Sequence, residues 1–330
     1  MIRITAEEKQ TFTNDIVQTD YMIDRRLHVL RVLASQGTVT AAAAALSYTP
    51  SAVSHQLRSL ARDLDVDLLE QDGRGVRLTP AARVLLANAD ELYSRWEEIR
   101  GEVSAVEGER AGTLRLCGFS TAAAALLPDL AAYVMERYPR YTAHIIEADP
   151  EECFDLLVAD KADLAVVVAT PSLPPRSDPR FEQRPLLDDP LDLLLPADHT
   201  LAKRESILLS EAADEPWVLD RPGRPHRQLV LTACAAAGFS PAEAHQSAEW
   251  DTGAALVAAG LGVALVPRLA RIPEDYRIAR VPLRGDPTPA RHVLTGVRRG
   301  SARQPIIADA LSALHGIADR SAARAAYVAE

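Results

Sequence analysis

"TVTAAAAALSYTPSAVSHQLRSLARDL", residues 38–64, opens on a run of five alanines and ends on a patterned helix. Small side chains along a helix let a neighbouring helix cross close to it. The run therefore reads as a short helix capped by Thr40 and continuing through Leu46. Ser47 and Tyr48 make the turn. Thr49 is the next N-cap, with Pro50 at the first helical position, where a missing N–H costs nothing. Beyond it Val53, Leu57, Leu60 and Leu64 fall on one face, while Ser51, Ser54, His55 and Arg58 recur at helical spacing on another. One side suits a core. The other is small, polar and cationic, able to donate hydrogen bonds without bulk.

Working outward, Leu27, Leu30 and Leu33 give an apolar stripe on a helix that starts after Asp24 and stops at Gly37. Residues 1–22 are polar and aperiodic, and read as a flexible N-terminal extension, with Met22 a plausible alternative start. After the patterned helix, residues 67–71 and 76–79 read as the strands of a hairpin turning at Asp72-Gly73-Arg74-Gly75. Three helices and a two-stranded wing over residues 23–80 make a winged helix-turn-helix.

A long helix follows, over residues 81–110. Its apolar positions Leu85, Ala89, Leu92, Trp96, Ile99, Val103 and Val106 alternate spacings of four and three. A heptad seam this long points to self-association, against the alternative of a helix lying on its own effector domain. From Thr113 strands rich in Val, Ile and Leu alternate with helices, which implies a parallel sheet covered on both faces. The expected elements are strands at 113–119, 141–148, 162–169, 191–196, 216–220, 263–267 and 291–299. Helices are expected at about 121–138, 151–159, 228–237 and 251–262, with a last helix from near Gln304. Two α/β lobes over residues 111–320 are the simplest assembly: lobe I from about 111–175 and 286–320, lobe II from about 176–285, then a tail at 321–330.

Composition narrows the class. At 330 residues, 48% hydrophobic and 25% charged, the chain suits a globular protein of two or three domains. A net charge of −10 argues against coating nucleic acid by bulk attraction, but leaves room for a small DNA-binding face. Three scattered cysteines without CxxC fit a reducing, cytoplasmic setting. No apolar run is long enough to cross a bilayer, no secretory h-region opens the sequence, and no membrane partner is expected. Neither HExxH nor paired histidine spacing appears, so no metal site is expected, and GxSxG is absent.

Residues 24–80, then GTLRL, LLPDLAAYVMERYP, ADLAVVV and GLGVALVP in order, resemble the LysR-type transcriptional regulators over nearly the whole chain from Met22. The resemblance implies an N-terminal winged helix-turn-helix, a long linker helix and a two-lobed, periplasmic-binding-protein-like effector domain. It implies a homo-oligomer, dimer or tetramer, that binds double-stranded DNA and a small-molecule effector in the interlobe cleft, with RNA polymerase a further partner. No catalysis and no cofactor are expected.

Mapped onto this chain, the family's DNA-contacting positions are Pro50, Ser51, Ser54 and His55, near the N-cap Thr49. Arg58 joins them from the face analysis, Arg74 stands at the wing tip, and Arg77 suits a phosphate clamp. The pattern departs from many relatives at Pro50, where they carry Gln, at His55, where they carry Arg, and at Gln71, where a basic residue is common. Fewer guanidinium contacts leave specificity to Ser, His and water. In the cleft, Ser120 and Thr121 follow the first strand of lobe I and Asp149 follows the second. Lobe II offers Arg221, His226 and Trp250, which suit an anionic ligand and a ring. The competing class is an α/β solute-binding protein or enzyme with an incidental helical N-terminal domain. It leaves the wing and the heptad helix without a purpose.

Overall fold

The computed structural model describes residues 23–73, 75–107 and 111–327. The expected N-terminal extension at residues 1–22 and the wing-tip Arg74 lie outside the described residues.

Helices α1 (Arg25–Gln36), α2 (Val39–Leu46) and α3 (Pro50–Leu64) form the N-terminal unit, followed by the hairpin β1 (Leu69–Asp72) and β2 (Gly75–Leu78). Gly37 ends α1 in the left-handed conformation at φ 73°, donating its N–H back to the Leu33 carbonyl. Helix α2 starts two residues earlier than expected. Thr38, in extended conformation, accepts from the Ala41 N–H, and Thr40 lies inside the helix. Thr49 caps α3 by accepting from the Ala52 N–H at 3.2 Å. Ala42 and Ala43 are buried, as are Val53, Leu57 and Leu60 of α3, so the alanine run is where two helices meet closely.

Helix α4 (Pro80–Glu107) opens on Thr79, whose Oγ accepts from the Ala82 N–H. It then runs along lobe I. Gly101 is required there: a Cβ would stand 2.8 Å from the backbone carbon of Arg303. Opposite, Gly300 has φ 86°, and a Cβ on it would meet the Ser94 carbonyl at 2.5 Å.

The effector domain contains β3 (Gly112–Gly118), α5 (Ser120–Ala125), α6 (Leu127–Arg137), β4 (Tyr141–Glu147), α7 (Pro150–Val158), β5 (Leu164–Val168) and β6 (Phe181–Pro196). It continues through β7 (Pro216–Leu219), α8 (Pro225–Ala236), β8 (Ala242–Gln246), α9 (Trp250–Ala258), β9 (Ala264–Pro267), β10 (Ile278–Pro282), β11 (Ala290–Arg298) and α10 (Pro305–Tyr327). Strand order β10-β6-β11-β5-β3-β4, with β9 also on β6, carries one seven-stranded sheet through both lobes, and β7 pairs β8 separately.

The sheet is mixed rather than parallel. β3, β4 and β5 are parallel, while β11 runs antiparallel to β5 and β6. Residues 181–190 extend β6 well before the expected 191–196. Two prolines and two aspartates hid that first half, and the structure accommodates Pro185 beside a bulge at Leu186. The first half of β6 pairs β11, and the second pairs β9 and β10, so this strand changes lobes near Pro190 rather than at 176. The expected helix at 121–138 breaks at Leu126, whose fully buried side chain anchors the kink. Strands β8 and β10 had no signal of their own in the sequence, being short and largely exposed or half-buried.

One apolar core joins the N-terminal unit to lobe I. The α1–α3 core is continuous with Cys117, Cys153, Phe154, Leu157 and Phe181. At its edge Ser35 of α1 hydrogen-bonds Asp155 of α7. No helix among the described residues is long and apolar enough to cross a membrane.

Candidate DNA face and interlobe site

The N-terminal end of α3 points away from the core. Thr49, Pro50, Ser51, His55 and Arg58 are exposed and Ser54 is half-buried. The Thr49 and Ser51 hydroxyls lie 2.9 Å apart, and Arg58 Nε donates to the Ser54 carbonyl at 3.1 Å, which lays the guanidinium along the helix. A helix start, with its free N–H groups, two hydroxyls, an imidazole and a guanidinium, can meet a phosphate and base edges together. Arg77, on the wing strand, is exposed and pairs with its cross-strand neighbour Glu70 at 3.2 Å. That pair is solvent-facing and weak, so it can be exchanged for a phosphate.

The seam of α4 divides. Leu85 is half-buried and Ala89 is buried within the chain's own packing. Trp96 and Ile99 are half-buried, whereas Leu92 and Val103 remain 55% and 49% exposed. Ala89 is therefore not available to a second subunit, and only the later half of the seam is open. Self-packing and an open stripe therefore coexist on one helix.

At the opposite edge of the α4 contact, Arg298 of β11 is buried among three carboxylates. Its Nε donates to Glu97 of α4 at 2.8 Å, its Nη2 to Asp163 at 3.0 Å, and Asp160 lies 3.2 Å from Nη1. Burial alone would raise the Asp163 pKa, but hydrogen bonds from Arg115 and the Arg298 charge bring it down to about 2.

Between the lobes a row of side chains bridges the cleft. Phe119, at the end of β3, lies 5.0 Å from the Arg291 guanidinium carbon, and Trp250, at the start of α9, lies 6.0 Å from it. His226, at the start of α8, stands edge-on to Trp250 at 4.8 Å. Asp189 holds Arg291 through Nη2 at 2.6 Å and accepts from the Leu269 N–H. Asp149 of lobe I faces Arg224 of lobe II at 3.8 Å, and Arg224 also reaches Asp220.

Of the residues expected here, the structure brings together His226 and Trp250, with Asp149 at the rim. Ser120 is exposed directly after Phe119. Thr121 is turned into lobe I and buried, and Arg221 is exposed, its backbone N–H donating to the Asp220 carboxylate. Phe119, Asp189, Arg224 and Arg291 also stand in this row, beyond the expected set. Phe119 adjoins Ser120 and Arg224 lies in the loop between Arg221 and His226, but nothing in local spacing marks Arg291 or Asp189, which are 102 residues apart.

A separate cavity of about 680 Å³ lies beside the paired β6 and β11, lined by Thr170, Leu173, Pro175, Arg176, Leu187 and His292 among others. None of the residues expected from sequence lines it. No group of three or more potential metal ligands occurs among the described residues.

Known proteins share this arrangement. Residues 25–83 match the bacterial regulatory helix-turn-helix protein, lysR family, and residues 107–318 match the LysR substrate binding domain. A probable hydrogen peroxide-inducible genes activator of Streptomyces viridosporus is 32% identical over 266 residues, covering 79% of this chain and 83% of that protein. A solved OxyR mutant from Corynebacterium glutamicum is 26% identical, with a TM-score of 0.56 over 92% of this chain and 93% of that one. A full-length OxyR variant from Pseudomonas aeruginosa, at 24% identity, shares the fold with a TM-score of 0.63 over 88% of this chain and 93% of that one. With both domain matches in place, this chain belongs to the LysR family of DNA-binding transcriptional regulators.

Proposed function

We propose that the cleft between the lobes is the effector site and that its occupancy is passed to the linker helix by β11. One observation carries this reading: β11 begins beside Arg291, within the Phe119–Trp250 row, and ends on Arg298, against Glu97 of α4. A shift of this strand on lobe closure moves both ends, because packed strands transmit displacement rather than absorb it. The DNA face is then Thr49, Pro50, Ser51, Ser54, His55, Arg58 and Arg77, with Arg74 at the wing tip. Two such faces, paired through Leu92, Trp96, Ile99 and Val103, read an interrupted dyad from the cytoplasm, with RNA polymerase the partner at the promoter.

The relatives named for peroxide induction raise a second reading, in which thiol oxidation replaces a bound effector. Cys117, Cys153 and Cys234 are all buried. Hydrogen bonding to Cys153 and burial push the Cys117 thiol up, and burial pushes Cys234 up to about 12. Thiols held protonated and away from solvent are poor nucleophiles, which favours a bound effector here.

The test is a footprint on the DNA beside the gene. Protection should fall on successive major grooves about one helical turn, or a multiple, apart, and should vanish in the Ser54→Ala, Arg74→Ala double variant. Protection that survives that double change would overturn the assigned DNA face.

A further inference from the structure

The cavity of about 680 Å³ beside β6 and β11 is set apart from the interlobe row by the alternation of the strands. Successive residues of a strand point to opposite faces. Asp189 and Arg291 pair on the cleft side and are buried. Their neighbours Asp188 and His292 pair on the other side, are exposed and line the cavity. Its size falls within the roughly 300–1,000 Å³ of small-molecule sites.

One wall is the loop at residues 170–176, which is held in place from both sides. Ser172 hydrogen-bonds Glu151 of α7, and Thr170 donates to the same oxygen at 3.4 Å. Pro171, Pro174 and Pro175 fix three φ angles along the loop. Gln183 of β6 pins its far end, with Nε2 donating to the Pro174 carbonyl at 2.9 Å and to the Pro175 carbonyl at 3.2 Å. Those carbonyls can only accept, which fixes the amide and turns Oε1 away from them. Oε1 accepts no hydrogen bond among the described residues, and it is not sealed from solvent. Gln183 is 8% exposed and lines the cavity, so the little surface it keeps is cavity surface. A nearly buried amide oxygen left without a donor calls for one.

Arg176 follows directly on Pro175, is exposed at the rim, and makes no hydrogen bond or ion pair among the described residues. The other charged lining groups, Asp188 and His292, are paired with each other at 2.6 Å. Leu173, Leu187 and Leu294 add apolar surface to the same cavity. A free guanidinium calls for an anion, whereas apolar walls do not solvate an ammonium. The group that donates to Oε1 is therefore neutral.

We infer that this cavity is a ligand site in its own right, separate from the interlobe cleft, for a carboxylate whose apolar body carries one neutral N–H or O–H. Arg176 binds the carboxylate, Gln183 Oε1 accepts from the donor, and the leucines take the body.

The experiment titrates the full-length protein calorimetrically with three probes. Indole-3-acetate has every feature, 1-naphthaleneacetate keeps the carboxylate and a bicyclic body without the N–H, and 3-methylindole keeps the N–H without the carboxylate. Indole-3-acetate should bind, and each of the other two should bind about tenfold more weakly. Arg176→Gln should weaken indole-3-acetate about tenfold and leave 3-methylindole unchanged. Leu173→Trp, which fills the cavity, should abolish binding of all three. Arg176 is exposed, so its variant keeps the test open if Leu173→Trp does not fold. Equal affinity for indole-3-acetate and 1-naphthaleneacetate would overturn the role of Gln183. Undiminished binding in both variants would place the ligand elsewhere and overturn the site, while leaving the interlobe reading untouched. No binding of any of the three probes would overturn the ligand class.

Discussion

Glu97 of the linker helix and Arg298 of β11 meet at 2.8 Å across 201 residues of chain, and both are buried. Gln304 adds a second bond to the same carboxylate, donating at 2.8 Å to its other oxygen. Removing a partner from a buried pair leaves an uncompensated charge, and Asp160 and Asp163 offset only part of it. Glu97→Ala should lower stability by about 3 kcal/mol, read as a reduced urea midpoint. Glu97→Gln keeps an acceptor for Arg298 and should lose less. Equal stability of Glu97→Ala and the unaltered protein would show that the linker helix is not held by this contact.

The proposed DNA face of α3 and the wing predicts how DNA binding should fail. If they read base edges as proposed, His55→Ala and Ser54→Ala should each weaken the specific complex by about 1–3 kcal/mol. Arg77→Ala should act differently. A phosphate contact carries no base information, so affinity should fall on all sequences alike and the slope of log K against log salt should flatten by about 1. Titrations at several salt concentrations on specific and scrambled duplexes separate the two behaviours. A sequence-selective loss in Arg77→Ala would move that residue from the backbone to the bases.

Local chemistry was legible where the chain signals locally. Thr49-Pro50, Gly37 and the Val53/Leu57/Leu60/Leu64 stripe each state a cap, a stop or a core face within a few residues, and the structure places them so except for Leu64, which at the end of α3 is 45% exposed. Boundaries slipped where two residues could do one job, as with Thr38 and Thr40. Strand β6 was half hidden because Pro185, Asp188, Asp189 and Pro190 read as a loop, although a bulge and the change of lobe accommodate them. The cleft was least legible. Arg291, Asp189 and Phe119 come from three separate strands or strand ends, and no periodicity records that a fold will bring them together.

Peroxide should leave the protein unchanged. The Cys117 thiol bonds the Cys153 carbonyl at 3.8 Å, and the Cys153 thiol bonds the Ala148 carbonyl at 3.6 Å, so both are spent within the core. Intact mass after brief exposure to millimolar hydrogen peroxide should show no oxidised cysteine, and the DNA footprint should not move. Cys117→Ser and Cys234→Ser should bind DNA as the unaltered protein does. Rapid formation of a sulfenic acid or a disulfide would sink the bound-effector reading in favour of thiol chemistry.

His226 also predicts a pH dependence whose sign is fixed. Burial holds its folded pKa at about 4, below the ordinary 6.5. Between those values the unfolded chain binds the proton and the folded chain does not, so this residue's contribution is complete above pH 6.5 and is lost as pH falls toward 4. The slope from one such group is at most about 1.4 kcal/mol per pH unit. Urea unfolding from pH 7 to pH 4 should therefore show a steeper loss in the unaltered protein than in His226→Phe. Parallel curves would mean that the imidazole titrates freely and is not sealed in the row.

Leu92 and Val103 stay exposed on α4 while Ala89 is packed within the chain, so self-association should depend on the open half of the seam alone. Large apolar side chains facing solvent in one stripe mark a contact surface. A glutamate placed there would be buried unpaired in the oligomer yet well solvated in the monomer. Leu92→Glu with Val103→Glu should weaken the dimer by about 3 kcal/mol or more, some hundredfold in Kd, while near-ultraviolet circular dichroism of the monomer is preserved. Sedimentation velocity across a dilution series measures the shift. DNA affinity for a two-half-site duplex should fall with it, because each winged helix then binds alone. If the double variant sediments as the unaltered protein does at every concentration, the subunits associate through another face, and the exposed stripe on α4 has a different partner.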